Sequence, residues 1–392
     1  MGVDPRMNVA LTNPFMWPYV RRGAERLLHD LAVYLTSLGH RVYVYAMAPR
    51  EAHEDRGGVT YVSIRQRRRS SLRQFNSCHD YAYRLPRYLA RSGCDAVFCL
   101  SYFDAYAALQ AKRHHGARFK VLHQSVGIPT RRYFRAVPLD AWFMRTVLRY
   151  ADELLVLSDF AKETLRRDFG REALVIPPPI VASAFSSAHA QSSSPAEPRV
   201  LFVGDVDEPR KGARLLCRAF PRIKRVFPDA QLVFAGRAGN ATRAALLADP
   251  ALRGLCGSVR FLGLGEVEDL PALYRSASVT VLPAVWEAFG LVLAESLAAG
   301  TPVVGARHGG IPEIVSGPLV GELFDPMPFG IQSDNVTGVA AAIINVISRG
   351  KTADVAAACQ ARARTYSWTS LGPRYERALV EVVQSPRQGA RP

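Results

Sequence analysis

The chain has 392 residues, 48% of them hydrophobic and 21% charged, a globular composition that is too large for one ordinary core and suits two domains of roughly 200 residues each. It contains no apolar run near the ~18 residues of a membrane-spanning helix, and its opening Met1-Gly-Val-Asp-Pro-Arg-Met7 lacks the basic-then-apolar order of a signal peptide. Net charge is +16, with 28 Lys and Arg against 16 Asp and Glu in residues 1–190, a field that favours anionic partners. Nucleic acid is not among those expected, because no helix-turn-helix, zinc or aromatic-stacking pattern accompanies the charge.

Met7 opens the first strand, so residues 1–6 read as an extension outside the fold. Residues 8–12 read as a strand, and the loop up to Gly23 carries Pro14, Trp17 and Pro18. Leu27, Leu28, Leu31, Leu35 and Leu38 then recur at helical spacing, Gly39 stops the helix, and residues 41–46 return as a strand. This is one βαβ unit. Further strands are expected at 96–100, 119–123, 153–157 and 174–176, with Ser158 capping the helix that follows the third of these. Residues 181–198 are rich in Ser, Ala and Pro without periodicity, which predicts an N-terminal domain 1–182 and a linker 183–198. A second series, with strands at 199–204, 230–236, 258–263, 279–282 and 301–304, predicts a C-terminal domain 199–369. The six cysteines form no Cys-x-x-Cys pair and read as free thiols. The expected fold class is α/β, with two Rossmann-like domains facing across a cleft that holds a ligand.

Several segments have the makings of a site. Gly204-Asp-Val-Asp-Glu-Pro-Arg-Lys211-Gly212 lies between a strand and a helix, so Lys211, with Arg210 beside it, would face an anion at the helix N-terminus. Asp205 and Asp207 resemble a chelating pair, a spacing common by chance in loops. His123 is expected at the C-terminal end of its strand, where open α/β sheets bind ligands. Glu287 and Glu295, eight positions apart, flank the junction Ala-Phe-Gly290 between a buried strand and a helix. On one helix they would stand about 80° apart around the axis and roughly 12 Å along it. Arginines concentrate at Arg65, Arg67, Arg68, Arg69 and Arg73, and again at Arg131, Arg132 and Arg135 beside Tyr133 and Phe134. No Gly-x-Gly-x-x-Gly follows the first strand, and neither a Walker lysine motif nor a Gly-x-Ser-x-Gly elbow appears. Dehydrogenase, P-loop and serine-hydrolase chemistry therefore lose support.

Four stretches in the second half, Asp269-Leu-Pro-Ala-Leu-Tyr274, Pro283-Ala-Val-Trp-Glu-Ala-Phe-Gly-Leu-Val-Leu-Ala-Glu295, Ala299-Gly-Thr-Pro-Val-Val304 and Gly309-Gly-Ile-Pro-Glu313, resemble the retaining glycosyltransferases of family 4, the group 1 class with the GT-B fold. The resemblance extends to Arg22-Gly23-Ala-Glu-Arg26, Val121-Leu-His123, Ala151-Asp152 through Ser158, and Ser367-Trp368. The last of these implies a C-terminal helix, about 370–386, packed back on the first domain.

The resemblance implies a nucleotide-diphosphate sugar held mainly by the second domain and an acceptor held mainly by the first, with Arg22 and Gly23 on the acceptor side. It implies that Glu295 binds the ribose hydroxyls, that Glu287 contacts the transferred sugar, and that the N–H groups of Phe289, Gly290 and Leu291 cradle sugar and distal phosphate. Lys211, with Arg210 and the Gly204 loop, would neutralise the diphosphate, so no cofactor and no divalent metal are expected. Phe261 and Gly263 would lie by the base and His123 by the reacting sugar. The family usually has Arg directly after the loop glycine, where this chain has Asp205; the Asp-Glu-Pro-Arg-Lys-Gly run otherwise resembles that of phosphatidylinositol mannosyltransferases. Either Arg210 or Arg237 replaces the missing charge, or the loop turns Asp205 away.

The resulting expectation is metal-independent, configuration-retaining transfer from a GDP- or UDP-sugar to a polysaccharide or glycolipid precursor in cell-envelope glycan biosynthesis. The enzyme would be cytoplasmic and peripheral at the inner face of the plasma membrane, with an anionic membrane surface as a candidate partner of the basic first domain. Transfer to a soluble secondary-metabolite acceptor, and a non-catalytic glycan-binding scaffold suggested by Asp205, are the alternatives.

Overall fold

The computed structural model describes residues 6–20, 22–66, 76–185, 197–263, 266–267, 269–327 and 335–386. Residues 1–5, the arginines 67, 68, 69 and 73, and residues 186–196 of the expected linker lie outside the described residues. The chain divides into two compact units, one of residues 1–177 and 371–392, the other of residues 178–370.

The first unit contains β1 (Asn8–Thr12), β2 (Arg41–Ala48), β3 (Ala52–Arg56), β4 (Val59–Arg65), β5 (Ala96–Cys99), β6 (Lys120–Ser125), β7 (Glu153–Val156) and β8 (Leu174–Val175). They form one sheet in the order β3-β4-β2-β1-β5-β6-β7-β8, parallel except for β3 against β4. β1 sits centrally, and four of its five residues are buried, as a strand covered by helices on both faces must be. β3, Ala-His-Glu-Asp-Arg, has no apolar period and escapes sequence reading; its ladder to β4 and its charged edge position hold it in place.

The second unit contains β9 (Arg199–Val203), β10 (Gln231–Ala235), β11 (Val259–Leu262), β12 (Val279–Leu282), β13 (Val303–Ala306) and β14 (Gly321–Phe324), an all-parallel sheet in the order β11-β10-β9-β12-β13-β14. The strand order reverses between β9 and β12, which makes their C-terminal ends the switch point where such sheets bind ligands.

The expected seam at residue 182 is corrected to Pro177–Pro178. Ile180 donates its N–H to the Tyr366 carbonyl at 2.8 Å and bridges Ser367, so this stretch belongs to the second unit. Residues 183–185, assigned to the linker on composition, close a helical turn, Ala182–Phe185, whose buried Phe185 packs its ring 6.0 Å from Tyr274. The other division falls inside the helix Trp368–Gln384. Its later turns pack within the first unit: Tyr375 is fully buried, its hydroxyl accepts from Gln124 Nε2 at 3.0 Å, and it lies 3.4 Å from the Ile176 carbonyl. Lys120 Nζ donates to the Ser385 carbonyl at 3.1 Å, fixing the end of that helix against β6.

Among the described residues all six cysteines are free, and no helix is long and apolar enough to cross a membrane. Tyr375→Phe removes a buried hydroxyl that links the C-terminal helix to β6. It should lower stability by about 1–2 kcal/mol, a typical value for a buried hydrogen-bonding group, read as a lower denaturation midpoint in urea.

Candidate functional site

The loop after β9 is shaped by its glycines. Gly212 has φ +79°, and a Cβ there would stand 2.5 Å from the Pro283 carbonyl oxygen, so any other residue would push the loop off the end of β12. The Arg210 carbonyl accepts the Val285 N–H at 2.9 Å, which fixes the loops after β9 and β12 side by side. This brings Lys211 Nζ to 2.5 Å from Glu287 Oε2, with Arg210 Nη1 3.6 Å from the same oxygen. Two cations thus lean on one carboxylate.

Glu287 is held in place by its neighbours. Trp286 adopts φ +59°, a left-handed conformation that costs about 1–2 kcal/mol in a non-glycine residue. Its N–H donates to His308 Nδ1 at 3.1 Å and its carbonyl accepts from Arg210 Nη1 at 3.1 Å. The Glu287 carbonyl accepts the Gly310 N–H at 2.9 Å, and a Cβ on Gly309, at φ +65°, would fall 2.0 Å from that oxygen. His308-Gly-Gly310 is therefore a clasp for the Glu287 loop. Of this clasp the sequence reading took only the glycines, as part of a resemblance; the histidine before the pair was the available signal.

The helix Leu291–Ala298 begins only after Gly290, at φ +108°. Glu287 thus stands in the preceding loop, and the 80° spacing that assumed one helix for both carboxylates does not apply. Glu295 lies within the helix and is buried, and its Oε2 accepts the hydroxyl of the fully buried Tyr274 at 2.9 Å. Tyr274 acts on Glu295 as a fixed donor, a role the sequence did not reveal. The N–H groups of Phe289, Gly290 and Leu291 make no hydrogen bond among the described residues, which leaves donors at the positive end of the helix available to an anion.

Asp205 has its own counter-charge. Arg237 Nη2 and Nε approach Asp205 Oδ2 at 2.6 and 3.1 Å, and Nε is 3.7 Å from Asp207 Oδ2. Arg237, and not Arg210, compensates Asp205, because Arg210 is engaged with Glu208 at 2.5 Å and with the Trp286 carbonyl. Asp207 also accepts the Gly239 N–H at 2.9 Å. Hydrogen bonds from the Thr242 side chain and then the Gly239 backbone hold its carboxyl below the usual range. Both aspartates are thereby spent on arginine and backbone. Among the described residues no group of three or more His, Cys, Asp or Glu is placed to hold a metal ion.

Gly204 begins this loop with its N–H on the Ala235 carbonyl at 2.9 Å. Phe261 stacks on Phe234 with ring centroids 5.1 Å apart and lies under Arg243 at 5.7 Å, while the Gly263 N–H donates to Glu266 Oε2 at 2.5 Å. Phe261 and Gly263 form a separate cluster at the ends of β10 and β11.

In the first unit, Arg22 immediately precedes the helix Gly23–Ser37 without a side-chain cap, pairs with the buried Glu25 at 2.8 Å and covers the Phe15 ring at 4.9 Å. His123 is not at the end of its strand as expected, because β6 continues through Gln124 and Ser125. It is buried between Cys99 and Leu154 of the flanking strands, and neither ring nitrogen makes a hydrogen bond of normal geometry among the described residues. Burial lowers its pKa to about 4, against a smaller upward pull from the Cys99 backbone. The sign follows from linkage. The unfolded chain binds this proton below about pH 6.5 and the folded chain only near pH 4, so stability is full above pH 6.5 and is lost as pH falls through that window. His123→Leu should flatten the decline in stability between pH 6.5 and 4, measured by urea denaturation at a series of pH values.

The sequence profile described as Glycosyl transferases group 1 matches residues 197–349, and that described as Glycosyltransferase Family 4 matches residues 21–183. A phosphatidyl-myo-inositol mannosyltransferase of Mycolicibacterium smegmatis is 30% identical over 231 residues, which cover 58% of this chain and 57% of that protein. Sucrose-phosphate synthase from Thermosynechococcus elongatus superposes with a TM-score of 0.78 at 21% identity, over 95% of this chain and 98% of that one. Anabaena HepE, solved with UDP-glucose, gives 0.74 at 18% identity over 95% and 99%. At these identities the solved structures speak for the fold, two parallel-sheet α/β domains of the GT-B type. With both halves matched in order, the chain belongs to the group 1, family 4 glycosyltransferases.

Proposed function

We propose that the chain transfers a sugar from a nucleotide-diphosphate sugar to a polysaccharide or glycolipid precursor, with retention of anomeric configuration and without a divalent metal. The observation that carries this reading is the Lys211–Glu287–Arg210 cluster beside the N-terminus of the helix Leu291–Ala298. Lys211 and Arg210 each carry a full charge, yet they share one carboxylate. A diphosphate offers them more negative charge than Glu287 does, and unit charges 4 Å apart attract by roughly 4 kcal/mol at an effective dielectric near 20. Diphosphate entry therefore draws the cations off Glu287 and frees its oxygens for a sugar hydroxyl.

In this reading Glu295, oriented by Tyr274, accepts from the ribose diol, and the N–H groups of Phe289, Gly290 and Leu291 receive the distal phosphate. Phe261 and Gly263 stand by the base. Lys211 and Arg210 stabilise charge as the bond from the anomeric carbon to the phosphate oxygen breaks. The acceptor oxygen bonds that carbon on the same face, and its proton passes to the departing phosphate oxygen. His123, buried in the first unit with a pKa of about 4, is neutral near pH 7, so a general-acid role is not assigned to it. Arg22 and Gly23 lie on the acceptor side. The mannosyltransferase relative acts, by its name, on phosphatidyl-myo-inositol, and the basic first half of this chain supports an acceptor at an anionic membrane surface.

Incubation with UDP- and GDP-sugars in EDTA, with lipid extracts as acceptors and NMR of the product's anomeric proton, tests the reaction. Turnover that needs a divalent metal, or an inverted product, contradicts it. The Asp205–Arg237 pair yields a sharper prediction. Arg237→Ala exposes the phosphates to an uncompensated carboxylate and should weaken nucleoside-diphosphate binding about tenfold, or ~1.4 kcal/mol. Asp205→Asn in the same chain should restore most of that loss in calorimetric titration.

A further inference from the structure

The first unit carries a second basic site that the transfer reaction does not use. A cavity of about 400 Å³ is lined by Arg131, Phe134, Arg135, Ala141, Arg145 and Phe169, a volume within the ~300–1,000 Å³ of small-molecule pockets. Arg131 and Arg135 stand four positions apart on the helical turn Arg131–Arg135, so both face the same way. Arg145 shares a face with Ala141 on the helix Pro138–Tyr150, and Phe169 ends the helix Asp159–Phe169. Phe134 is buried, meets Phe169 with ring centroids 6.1 Å apart, and leans on Tyr102 at 5.5 Å. One wall of the cavity is thus cationic and another aromatic.

The charges on that wall are only partly matched. None of the three guanidinium groups has an ion-pair partner among the described residues. Asp168 accepts the Arg131 backbone N–H at 2.9 Å and pairs with Arg167 at 2.9 Å, and the Arg131 charge adds only a smaller pull on its carboxyl. Three like charges around one cavity repel each other, and a multivalent anion relieves that repulsion. Guanidinium groups match phosphate oxygens in bidentate geometry, and the ring faces match an apolar or flat organic part.

We propose that this cavity binds a phosphate ester, with the phosphate on Arg131, Arg135 and Arg145 and the organic part against Phe134 and Phe169. The proposal rests on the cavity and its excess of positive charge, not on the transferase reading, so either can fail without the other.

Phenyl phosphate is the probe, titrated by calorimetry into the full chain with phenol and inorganic phosphate as references. Saturable binding is expected, tighter than for either reference. R131Q/R135Q/R145Q should weaken it at least tenfold. R87Q/R91Q/R113Q removes the same charge from exposed positions of the same unit and should leave it within twofold; circular dichroism and thermal melts check that both variants fold. Equal loss in both variants would mean a diffuse basic field, and no saturable binding by the unmodified chain would mean no site; either result overturns the proposal. Competition by phosphatidylcholine vesicles containing phosphatidic acid supports the site with a lipid headgroup as source. Probe binding unaffected by those vesicles supports it with a soluble ester as source.

Discussion

The second unit is organised around one carboxylate held between two cations. Glu287 receives Lys211 at 2.5 Å and Arg210 at 3.6 Å, and everything nearby serves that geometry. Gly212 lets the loop after β9 approach Pro283, Gly309 lets the backbone pass the Glu287 carbonyl, and His308 with Arg210 stabilises the left-handed Trp286. Strain of about 1–2 kcal/mol at a single residue persists only where its surroundings over-determine it. The same contacts that hold the strain also set the distance between carboxylate and cations. With Glu208 on Arg210 counted, the two cations meet two carboxylates, so an incoming anion would exchange partners instead of entering a bare positive pocket.

The first unit solves a different problem. His123 is buried in the middle of a parallel sheet with no ordinary hydrogen bond among the described residues, and burial keeps it neutral over most of the pH range. The C-terminal helix is fastened beside it through Tyr375, Gln124 and Lys120. Arginines on this unit fall into two kinds: those spent on structure, such as Arg22 on Glu25, and those around the cavity of Arg131, Arg135 and Arg145, which make no salt bridge among the described residues. The excess of positive charge visible in the first half of the sequence is thus partly local, concentrated where two short helical elements meet.

Much of this was legible before any coordinates. Alternating buried strands and amphipathic helices gave both sheets, because parallel strands covered on both faces are runs of apolar residues. β3 was invisible because hydrogen bonding to β4, not side-chain pattern, defines it. Glu287, Glu295 and Lys211 were singled out by motif, but the helix was assumed to start four residues early, since periodicity does not register a glycine at φ +108°. Tyr274 and His308 act through contacts 21 and 22 positions distant in the chain, which no local pattern encodes. Arg237 could be named only as one of two candidates to stand in for the missing loop arginine; the approach of the loops after β9 and β10 puts it on Asp205.

The most direct test of a nucleotide-sugar site on the second unit is calorimetric titration of the purified chain with UDP, GDP and ADP in the absence of divalent metal. Saturable binding of one of them, abolished by Glu295→Ala with the fold intact, is the expected result and would name the base. A folded chain that binds none of the three contradicts the central claim and would leave the Lys211–Glu287 cluster as a structural ion pair.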